Sequence, residues 1–525
     1  MRAVAGRIGR FVAIEHGGLT AVLVLSLAVR LWLLRWWSPF PFGDVFNFVR
    51  IAQGLAEWNY PIHEKRLPFY PFLIFVAHTL FPWLHWETIA IGLALVLSVV
   101  ALALLYAIAR TVRLSKVAAL VTVLLTAAFP PFLSYSIRGY ADTTLLVLVL
   151  AAILVGLQSA TWRGGALLGF LLGAASLTRY EGAFAAMVLI GLHAVRARAR
   201  VRRLVPVVVA LVLTLLPYVL LARSVGRSLL PAAYIAEASA SGSGYGVSSA
   251  REVGERFVLL WQRLGLFEAW RTPLGLLRSA REDFLGLHRP LVDLFVEPRS
   301  AAALLAIPGF LFLVWRRRLL DVCTVLLPFF AMAVPIAWYA LYVRYEAFLF
   351  PLLALAAGAG VHAGFLVFHR ATEGPHGRAL RASVGAALLL FASFVWFLGF
   401  TQETQESLRK SRFRELGYYR ALQYVETLPG IVAFAERRGI TEAYFGTRAV
   451  YAPELFARSA GDDAHWKALR ASSVVVVLAQ PAKRPTAFGF ITHPPADVRV
   501  EEVARFVVEQ GNHDLDEAIV YRLHF

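Results

Sequence analysis

The chain is a succession of apolar segments, most of them about 20 residues long, separated by short polar connections. A helix of about 20 apolar residues crosses the roughly 30 Å hydrocarbon core of a bilayer and satisfies its own backbone hydrogen bonds there. The chain is 58% hydrophobic and only 16% charged, which is typical of a polytopic membrane protein. We therefore predict a helical bundle of about eleven spans, at 18–37, 88–109, 117–134, 142–160, 165–178, 181–195, 204–222, 301–315, 319–340, 346–368 and 382–400.

The distribution of arginine predicts the orientation of these spans. The formal net charge is +18, and the arginine clusters fall in short loops between apolar segments, which is a topology signal, so nucleic acid is not an expected partner. If the proline-containing segment 67–84 lies at the interface, every basic loop falls on the cytoplasmic side. We predict an integral protein of the plasma (inner) membrane with a cytoplasmic N-terminus and an extracytoplasmic C-terminus. The basic loops are Arg110/Arg113/Lys116, Arg163, 196–203, 316–318 and 370–381.

The loop after the first span, 38–87, carries an unusual combination of acidic, basic and proline residues. Asp44 follows a Pro/Gly cluster and opens a segment whose apolar residues recur at helical spacing, which predicts an amphipathic helix along the membrane surface. Asp44 is then either a helix N-cap with no further role or a functional carboxylate at the start of this helix. Lys65 and Arg66 precede the sequence LPFYP, and these two cations suit either a phosphate or an interfacial anchor.

Further ionisable residues fall on the same predicted face as Asp44. Ionisable groups at membrane depth are candidates for function, because they must be paired or line a wet cavity. Arg179 with Glu181, and Arg344 with Glu346, could equally be local interfacial pairs. The candidates are Arg138 and Asp142 between the third and fourth spans, Arg179 and Glu181 between the fifth and sixth, and Arg344, Tyr345 and Glu346 at the tenth.

This arrangement resembles the GT-C superfamily of membrane glycosyltransferases. By pattern it is most similar to the protein O-mannosyltransferases and the lipid A aminoarabinose transferases. The resemblance rests on the lone loop aspartate with a following PxYP sequence, on LTRYEG at 177–182, on RYEAFLFPLLAL at 344–355, and on the position of Asp142. It implies a GT-C fold, a polyprenyl-phosphate sugar donor, and Asp44 as the catalytic base.

The resemblance and the chemistry together predict an inverting transfer. A lipid phosphate is a good leaving group that arginines can stabilise, while Asp44 removes the proton from an acceptor hydroxyl or amine. The expected phosphate-binding residues are Arg344, Arg179 and Arg66, with Lys65 and Arg138 as second choices. Asp142, Tyr345 and Glu181 are expected to orient the acceptor or the phosphate-binding residues.

No metal ligand is assigned, and the cofactor stays undetermined. The commoner double-acid signature of the superfamily is absent around Asp44, which leaves a divalent metal without sequence support. The sequence also does not specify the sugar, or whether the acceptor is a protein, a lipid or a lipid-linked glycan.

The predicted domains are a catalytic transmembrane module at 1–222, a long extracytoplasmic loop with interfacial helices at 223–300, further spans at 301–400, and a small soluble extracytoplasmic α/β domain at 401–525. The Gly/Ser-rich run at 239–249 is either a lid or a plain connector. In the last domain we predict helices near 413–428 and 430–438, and strands near 441–445, 473–478 and 518–523.

A lipid-linked sugar flippase or secondary transporter is the alternative function. Such a protein would place its charged residues near the membrane midplane, often in two related halves. Here the candidates gather at one face and no internal repeat is visible, so the sequence favours the transferase.

Overall fold

The computed structural model describes residues 2–35, 44–57, 66–158, 161–196, 201–224, 249–264, 298–316, 319–339, 343–371, 416–434, 438–451, 475–479, 497–509 and 515–525. Lys65, the predicted span at 382–400 and nearly all of the Gly/Ser-rich run lie outside the described residues. The statements below concern the described part of the chain.

The chain is mostly helical. Its helices are α1 (Arg2–Leu34), α2 (Asp44–Ala56), α3 (Phe69–Leu80), α4 (Trp86–Thr111), α5 (Lys116–Ala128), α6 (Pro130–Ser136), α7 (Asp142–Gln158), α8 (Trp162–Thr178), α9 (Tyr180–Arg196), α10 (Val201–Ser224), α11 (Ala250–Arg263), α12 (Pro298–Arg316), α13 (Leu319–Tyr339), α14 (Val343–Ala371), α15 (Leu416–Glu426) and α16 (Arg438–Phe445). Five strands follow one another between and after the last helices: β1 (Ile431–Phe434), β2 (Ala449–Tyr451), β3 (Val475–Ala479), β4 (Arg499–Glu509) and β5 (Leu515–His524).

Five of the described helices are long and apolar enough to cross a membrane, and a sixth candidate is the α5–α6 pair, which is bent by 65°. The five lie at Gly17–Leu34, Trp86–Thr111, Arg202–Ser224, Leu319–Tyr339 and Arg344–Phe368. Helices α7, α8 and α9 have 17 residues each, which corresponds to a length of about 25 Å. The protein is an integral membrane protein, and the predicted total of about eleven spans exceeds what length and composition establish here.

By its internal contacts the chain divides into two units. A helical unit comprises Met1–Leu31, Pro61–Leu73 and Ile91–Thr404, and a sheet unit comprises Trp32–Tyr60, Ile74–Ala90 and Gln405–Phe525. The domain boundaries given by the sequence stay predictions.

Small residues allow helices α12 and α14 of the helical unit to pack with their backbones in contact. A Cβ atom added at Gly360 would lie 2.1 Å from the backbone oxygen of Leu305, and one added at Gly309 would lie 1.8 Å from that of Ala356. Helices in lipid associate through such small-residue contacts, because lipid and side chains are equally apolar. Only glycine fits at these two positions.

Several helix ends of the helical unit meet at what we call the basic end, defined by Arg110, Arg113, Lys116, Arg163 and Arg196. Gln158 Nε2 donates to Thr111 Oγ1 over 3.3 Å, which joins the ends of α7 and α4. Arg196 donates to the Gly156 carbonyl and pairs with Asp321, which connects α9 to α7 and to α13. The Ser115 N–H donates to His362 Nδ1 over 3.3 Å, which connects the start of α5 to α14. The described basic loops that the sequence predicts to share one side are thus close in space.

The sheet unit contains a five-stranded mixed sheet in the order β2-β1-β3-β5-β4. Strand β1 runs parallel to β2 and β3, whereas β5 runs antiparallel to β3 and β4. The strands predicted near 473–478 and 518–523 are present as β3 and β5, and the helix predicted near 413–428 is present as α15. Strands β2 and β4 were not predicted.

Two predicted elements in this unit are wrong. The segment predicted as a helix near 430–438 contains β1, whose β-branched Ile431 and Val432 lie between two parallel neighbours. The segment predicted as a strand at 441–445 is the end of α16. In the structure its buried residues Thr441, Ala443 and Phe445 alternate with partly buried ones, and Glu442 pairs with Arg50 of α2, so contacts surround this short helix.

Helix α2 begins at Asp44, as predicted, but its surroundings differ from the expected membrane surface. Its apolar side includes Phe46 and Val49, which pack in a protein core with Tyr418 and Leu422. Its polar side also contacts protein, through Arg50 and through Gln53, whose Nε2 donates to the Ala443 carbonyl over 3.1 Å. The amphipathic pattern of α2 therefore reflects packing inside the sheet unit.

We expect Gly360→Ala to destabilise the protein, because the added methyl group would force α12 and α14 apart. Overpacking of this kind costs about 1–3 kcal/mol or more. Gly364→Ala is the matched control one turn further along α14, where an added Cβ meets nothing within 4 Å. Thermal unfolding of the purified variants in detergent measures the difference, and equal midpoints would contradict the close packing.

Candidate functional site

Arg179 lies in extended conformation at the corner between α8 and α9, and it holds two carboxylates. Its Nε and Nη2 donate to the two oxygens of Glu181 over 3.2 and 3.0 Å, and its Nη1 donates to Asp142 Oδ1 over 2.8 Å. The side chains of Arg179 and Asp142 are 11% and 3% exposed. The local Arg179–Glu181 pair that the sequence left as an alternative is therefore formed, and Asp142 of α7 is its third member.

The tightness of the α8–α9 corner depends on Gly182. A Cβ atom at this position would lie 2.2 Å from the backbone oxygen of Ala175, so α9 starts directly against the last turn of α8. This close start places Glu181 next to Arg179 in space as well as in sequence.

Arg344 lies at the start of α14 and contacts two aromatic rings. Its guanidinium carbon is 5.7 Å from the ring centre of Tyr140 and 5.2 Å from that of Tyr345, and Nη2 donates to the Tyr345 hydroxyl over 3.4 Å. The guanidinium of Arg179 lies 5.2 Å from the same Tyr345 ring. The buried ring of Tyr345 thus contacts both arginines and connects them.

Arg138 extends this group through a second pair of tyrosines. Its guanidinium lies 4.8 Å from the ring centre of Tyr135, which in turn meets Tyr140 edge-on at 5.5 Å. The turn that carries Arg138 is held by Tyr70 of α3, whose hydroxyl donates to the Gly139 carbonyl over 2.8 Å. Arg138, Tyr140, Asp142, Arg179, Glu181, Arg344 and Tyr345 form what we call the arginine–tyrosine cluster.

Arg66 is half-buried in the segment that leads into α3. The next residue, Leu67, packs with Leu177 and the partly buried Tyr180, which flank Arg179 at the α8–α9 corner. The segment that carries Arg66 therefore lies against the corner that carries Arg179.

Burial and neighbouring charges shift the pKa values of Arg179 and Arg138 in opposite directions. Burial alone would lower the pKa of Arg179, but the carboxylates of Glu181 and Asp142 raise it well above its ordinary value. Burial lowers the pKa of Arg138 from its ordinary value. An anion that approached Arg138 would offset this desolvation, because it favours the charged form.

Asp44 belongs to the sheet unit, whereas the arginine–tyrosine cluster belongs to the helical unit. Asp44 is half-buried and is the first residue of α2. The positive end of the helix dipole stabilises a carboxylate at this position. Both roles that the sequence allows, helix initiation and proton transfer, are compatible with this placement.

Arg30 was missed as a site candidate by the sequence analysis. It is fully buried in α1, where Nε donates to Ser136 Oγ over 3.0 Å and Nη1 donates to the Ser26 carbonyl over 3.1 Å. Ser136, together with Tyr135 and Asp142, lines a cavity of about 10 Å³, which is room for about one water molecule. The available signal was an arginine inside a predicted span, which marks a functional residue by default.

Within the residues that the structure describes, no group of three or more His, Cys, Asp or Glu residues is placed to hold a metal ion.

The helical bundle has the fold of a class of solved proteins, the membrane glycosyltransferases of the GT-C superfamily. The structure of ArnT from Cupriavidus metallidurans bound to undecaprenyl phosphate matches with a TM-score of 0.62 and 14% identity, over 97% of this chain and 98% of that one. An Archaeoglobus fulgidus oligosaccharyltransferase in complex with Zn and sulfate matches with a TM-score of 0.53 and 15% identity, over 87% of this chain and 67% of that one.

One further solved structure and one family profile are also similar to this chain. The arabinofuranosyltransferase AftD from Mycobacteria matches with a TM-score of 0.51 and 15% identity, over 97% of this chain and 40% of that one. The profile of the family described as dolichyl-phosphate-mannose-protein mannosyltransferase matches residues 65–221, which include Arg66, Arg138, Asp142, Arg179 and Glu181. Comparison with the curated proteins gives no significant sequence match. The resemblance to the GT-C superfamily is confirmed.

We expect Arg179→Met to destabilise the helical unit strongly, because it would leave Asp142 and Glu181 buried without their cation. Breaking a buried ion pair by removing one partner costs about 3–5 kcal/mol. The matched control is Arg251→Met, whose guanidinium pairs with Glu255 on the surface of α11 and is 90% exposed. Denaturation of both variants in detergent measures the effect, and similar losses in the two would contradict the structural role of Arg179.

Proposed function

We propose that this protein is an inverting glycosyltransferase that moves a sugar from a polyprenyl-phosphate donor to an acceptor hydroxyl or amine on the extracytoplasmic face of the membrane. The observation that carries this proposal is the arginine–tyrosine cluster, which gathers three arginines from separate segments at neighbouring helix ends. A group of buried or partly buried guanidiniums is suited to a phosphate, because each one offers planar, charge-assisted hydrogen bonds.

The contacts of the arginines support different roles for them. Arg179 directs three of its N–H groups to Glu181 and Asp142, so we assign it the positioning of these carboxylates. The guanidiniums of Arg344 and Arg138 lie over tyrosine rings. A guanidinium beside aromatic rings keeps its charge in a partly water-excluded setting that suits a phosphate, so we assign donor phosphate binding chiefly to Arg344 and Arg138, with Arg66 and Lys65.

Asp44 is proposed as the general base. It would take the proton of the acceptor as the acceptor attacks the anomeric carbon opposite the departing phosphate, which inverts the configuration. The contacts of α2 with Glu442 and Ala443 support this role, because a base must be held on a rigid element. Asp142, Glu181 and Tyr345 would orient the acceptor or the phosphate-binding arginines.

The donor and the orientation in the membrane are part of the same proposal. The similar fold of ArnT bound to undecaprenyl phosphate supports a polyprenyl-phosphate donor. The cations of the basic end support a cytoplasmic position for that end, with the cluster at the opposite, extracytoplasmic ends of α7 and α14. The proposal also includes about eleven spans, a plasma (inner) membrane location and a soluble extracytoplasmic C-terminal domain. The acceptor would be a protein, a lipid or a lipid-linked glycan.

Replacing Asp44 by Asn separates its two roles. Asn starts a helix about as well as Asp, so stability should change little. Asn cannot accept the proton of the acceptor, so transfer should slow by a factor on the order of 10² to 10⁴ while lipid-donor binding survives. Sugar transfer and donor binding by the purified variant test this, and near-normal turnover would remove Asp44 from catalysis.

Replacing Arg344 by Lys tests donor binding. Lys keeps the charge but loses the planar fork, so the affinity for a polyprenyl phosphate should fall roughly 10- to 100-fold. Arg251→Lys on the exposed face of α11 serves as the control, with unchanged affinity expected. Wild-type affinity in the Arg344→Lys protein, with folding verified by its melting profile, would exclude Arg344 from the phosphate site.

A further inference from the structure

A cavity lies at the basic end, at the opposite end of α7 from Asp142 of the arginine–tyrosine cluster. It has a volume of about 310 Å³ and is lined by residues of α4, α7, α12, α13 and α14, which puts it within the usual size range of ligand sites. Its polar lining includes Thr111, Arg113 and Asp321, and its apolar lining includes Leu157, Val322 and Leu355. Helix α7 separates the two regions, because it begins at Asp142 and ends at Gln158, beside this cavity.

Arg113 occupies a backbone position that normally belongs to glycine. The Leu114 N–H donates to the Ala109 carbonyl and the Arg113 N–H donates to the Arg110 carbonyl, both over 2.9 Å, which is the Schellman pattern at the end of α4. Arg113 has a φ of 60°, in the left-handed region. An arginine in this conformation is strained relative to glycine, and such strain is typical of residues retained for function.

The charges around the cavity favour an anion. Asp321 is the acidic residue in its lining, and Arg196 pairs with it. Arg110, Arg113, Lys116 and Arg163 are all exposed at the same end. The excess of positive charge would attract a phosphate to Arg113 more strongly than it would attract a neutral headgroup.

The surroundings of the cavity favour a lipid as the source of that phosphate. Trp162, at the start of α8, and Trp315, near the end of α12, are 67% and 79% exposed, which is typical of side chains at the level of lipid headgroups. The lining combines the polar Thr111 and Arg113 with apolar side chains of α7, α13 and α14. This combination fits a molecule with a charged head and an apolar chain.

We propose that this cavity binds the headgroup of an anionic phospholipid, with its phosphate at Arg113 and its first methylene groups against Leu157, Val322 and Leu355. The site would take lipid from the leaflet at the basic end. Its occupation would tie together the ends of α4, α7 and α13. The proposal rests on this cavity alone and does not depend on the transferase function.

The test uses the purified full-length protein in detergent, titrated with phosphatidylglycerol or with phosphatidylcholine of the same acyl chains. Native mass spectrometry measures the bound lipid, and the thermal unfolding midpoint measures the stabilisation that binding produces. Wild-type protein should retain phosphatidylglycerol preferentially. Arg113→Gly should bind it roughly tenfold more weakly, yet be at least as stable without lipid, because glycine relieves the left-handed strain.

Arg163→Ala is the matched control, because it removes one exposed cation from the same end without touching the cavity lining. It should bind phosphatidylglycerol like the wild type. Arg113→Asn, which also tolerates the left-handed conformation, provides a second variant that lacks the charge.

Three outcomes would overturn the proposal. The first is equal retention of phosphatidylcholine and phosphatidylglycerol by the wild type. The second is an equal loss of binding in Arg113→Gly and Arg163→Ala, which would indicate general surface attraction. The third is stabilisation by inorganic phosphate alone that matches the lipid effect, which would assign the cavity to a soluble anion.

Discussion

The ion triad of Arg179, Asp142 and Glu181 is the interaction on which the packing of the neighbouring ends of α7, α8 and α9 depends. Its three members come from α7, the α8–α9 corner and the first turn of α9, so the triad determines how these helix ends meet. Charges buried at this depth are tolerated only when their hydrogen bonds are made, and the planar fork of arginine meets both carboxylates at once. Tyr345 and Arg344 of α14 join this group through ring contacts, so a fourth helix end depends on the same cation.

Local sequence was informative where partners are close in the chain. The spacing of Arg179 and Glu181 left their pair open as an alternative, and the apolar spacing after Asp44 indicated the start of α2. The third partner, Asp142, lies 37 residues from Arg179, and the partner of Arg30 lies 106 residues away. No local pattern specifies such pairings, because they arise from helix packing. The strand predicted at 441–445 is wrong in a segment that also has a distant partner, since Glu442 pairs with Arg50 of α2.

Arginine and tyrosine together suit a site at the edge of a membrane. The rings of Tyr135, Tyr140 and Tyr345 cover the faces of the guanidiniums and shield them from water. Electrostatic attraction is stronger where water is excluded, so in the proposed transfer Arg344 and Arg138 would stabilise a departing phosphate more than an exposed lysine would. The same ring contacts hold the charged groups in place, which would lower the entropic cost of binding the proposed donor.

The burial of Arg30 has a consequence for biosynthesis. An arginine near the end of an apolar helix raises the free energy of membrane insertion by about 2.5–3.5 kcal/mol at most, so α1 can enter the bilayer alone. Its side chain, however, bonds to Ser136, 106 residues later. At about 5–20 residues per second, the ribosome needs roughly 5–20 s to deliver that serine. During this interval the guanidinium has the Ser26 acceptors of its own helix, and its bond to Ser136 forms only after α6 has been synthesised.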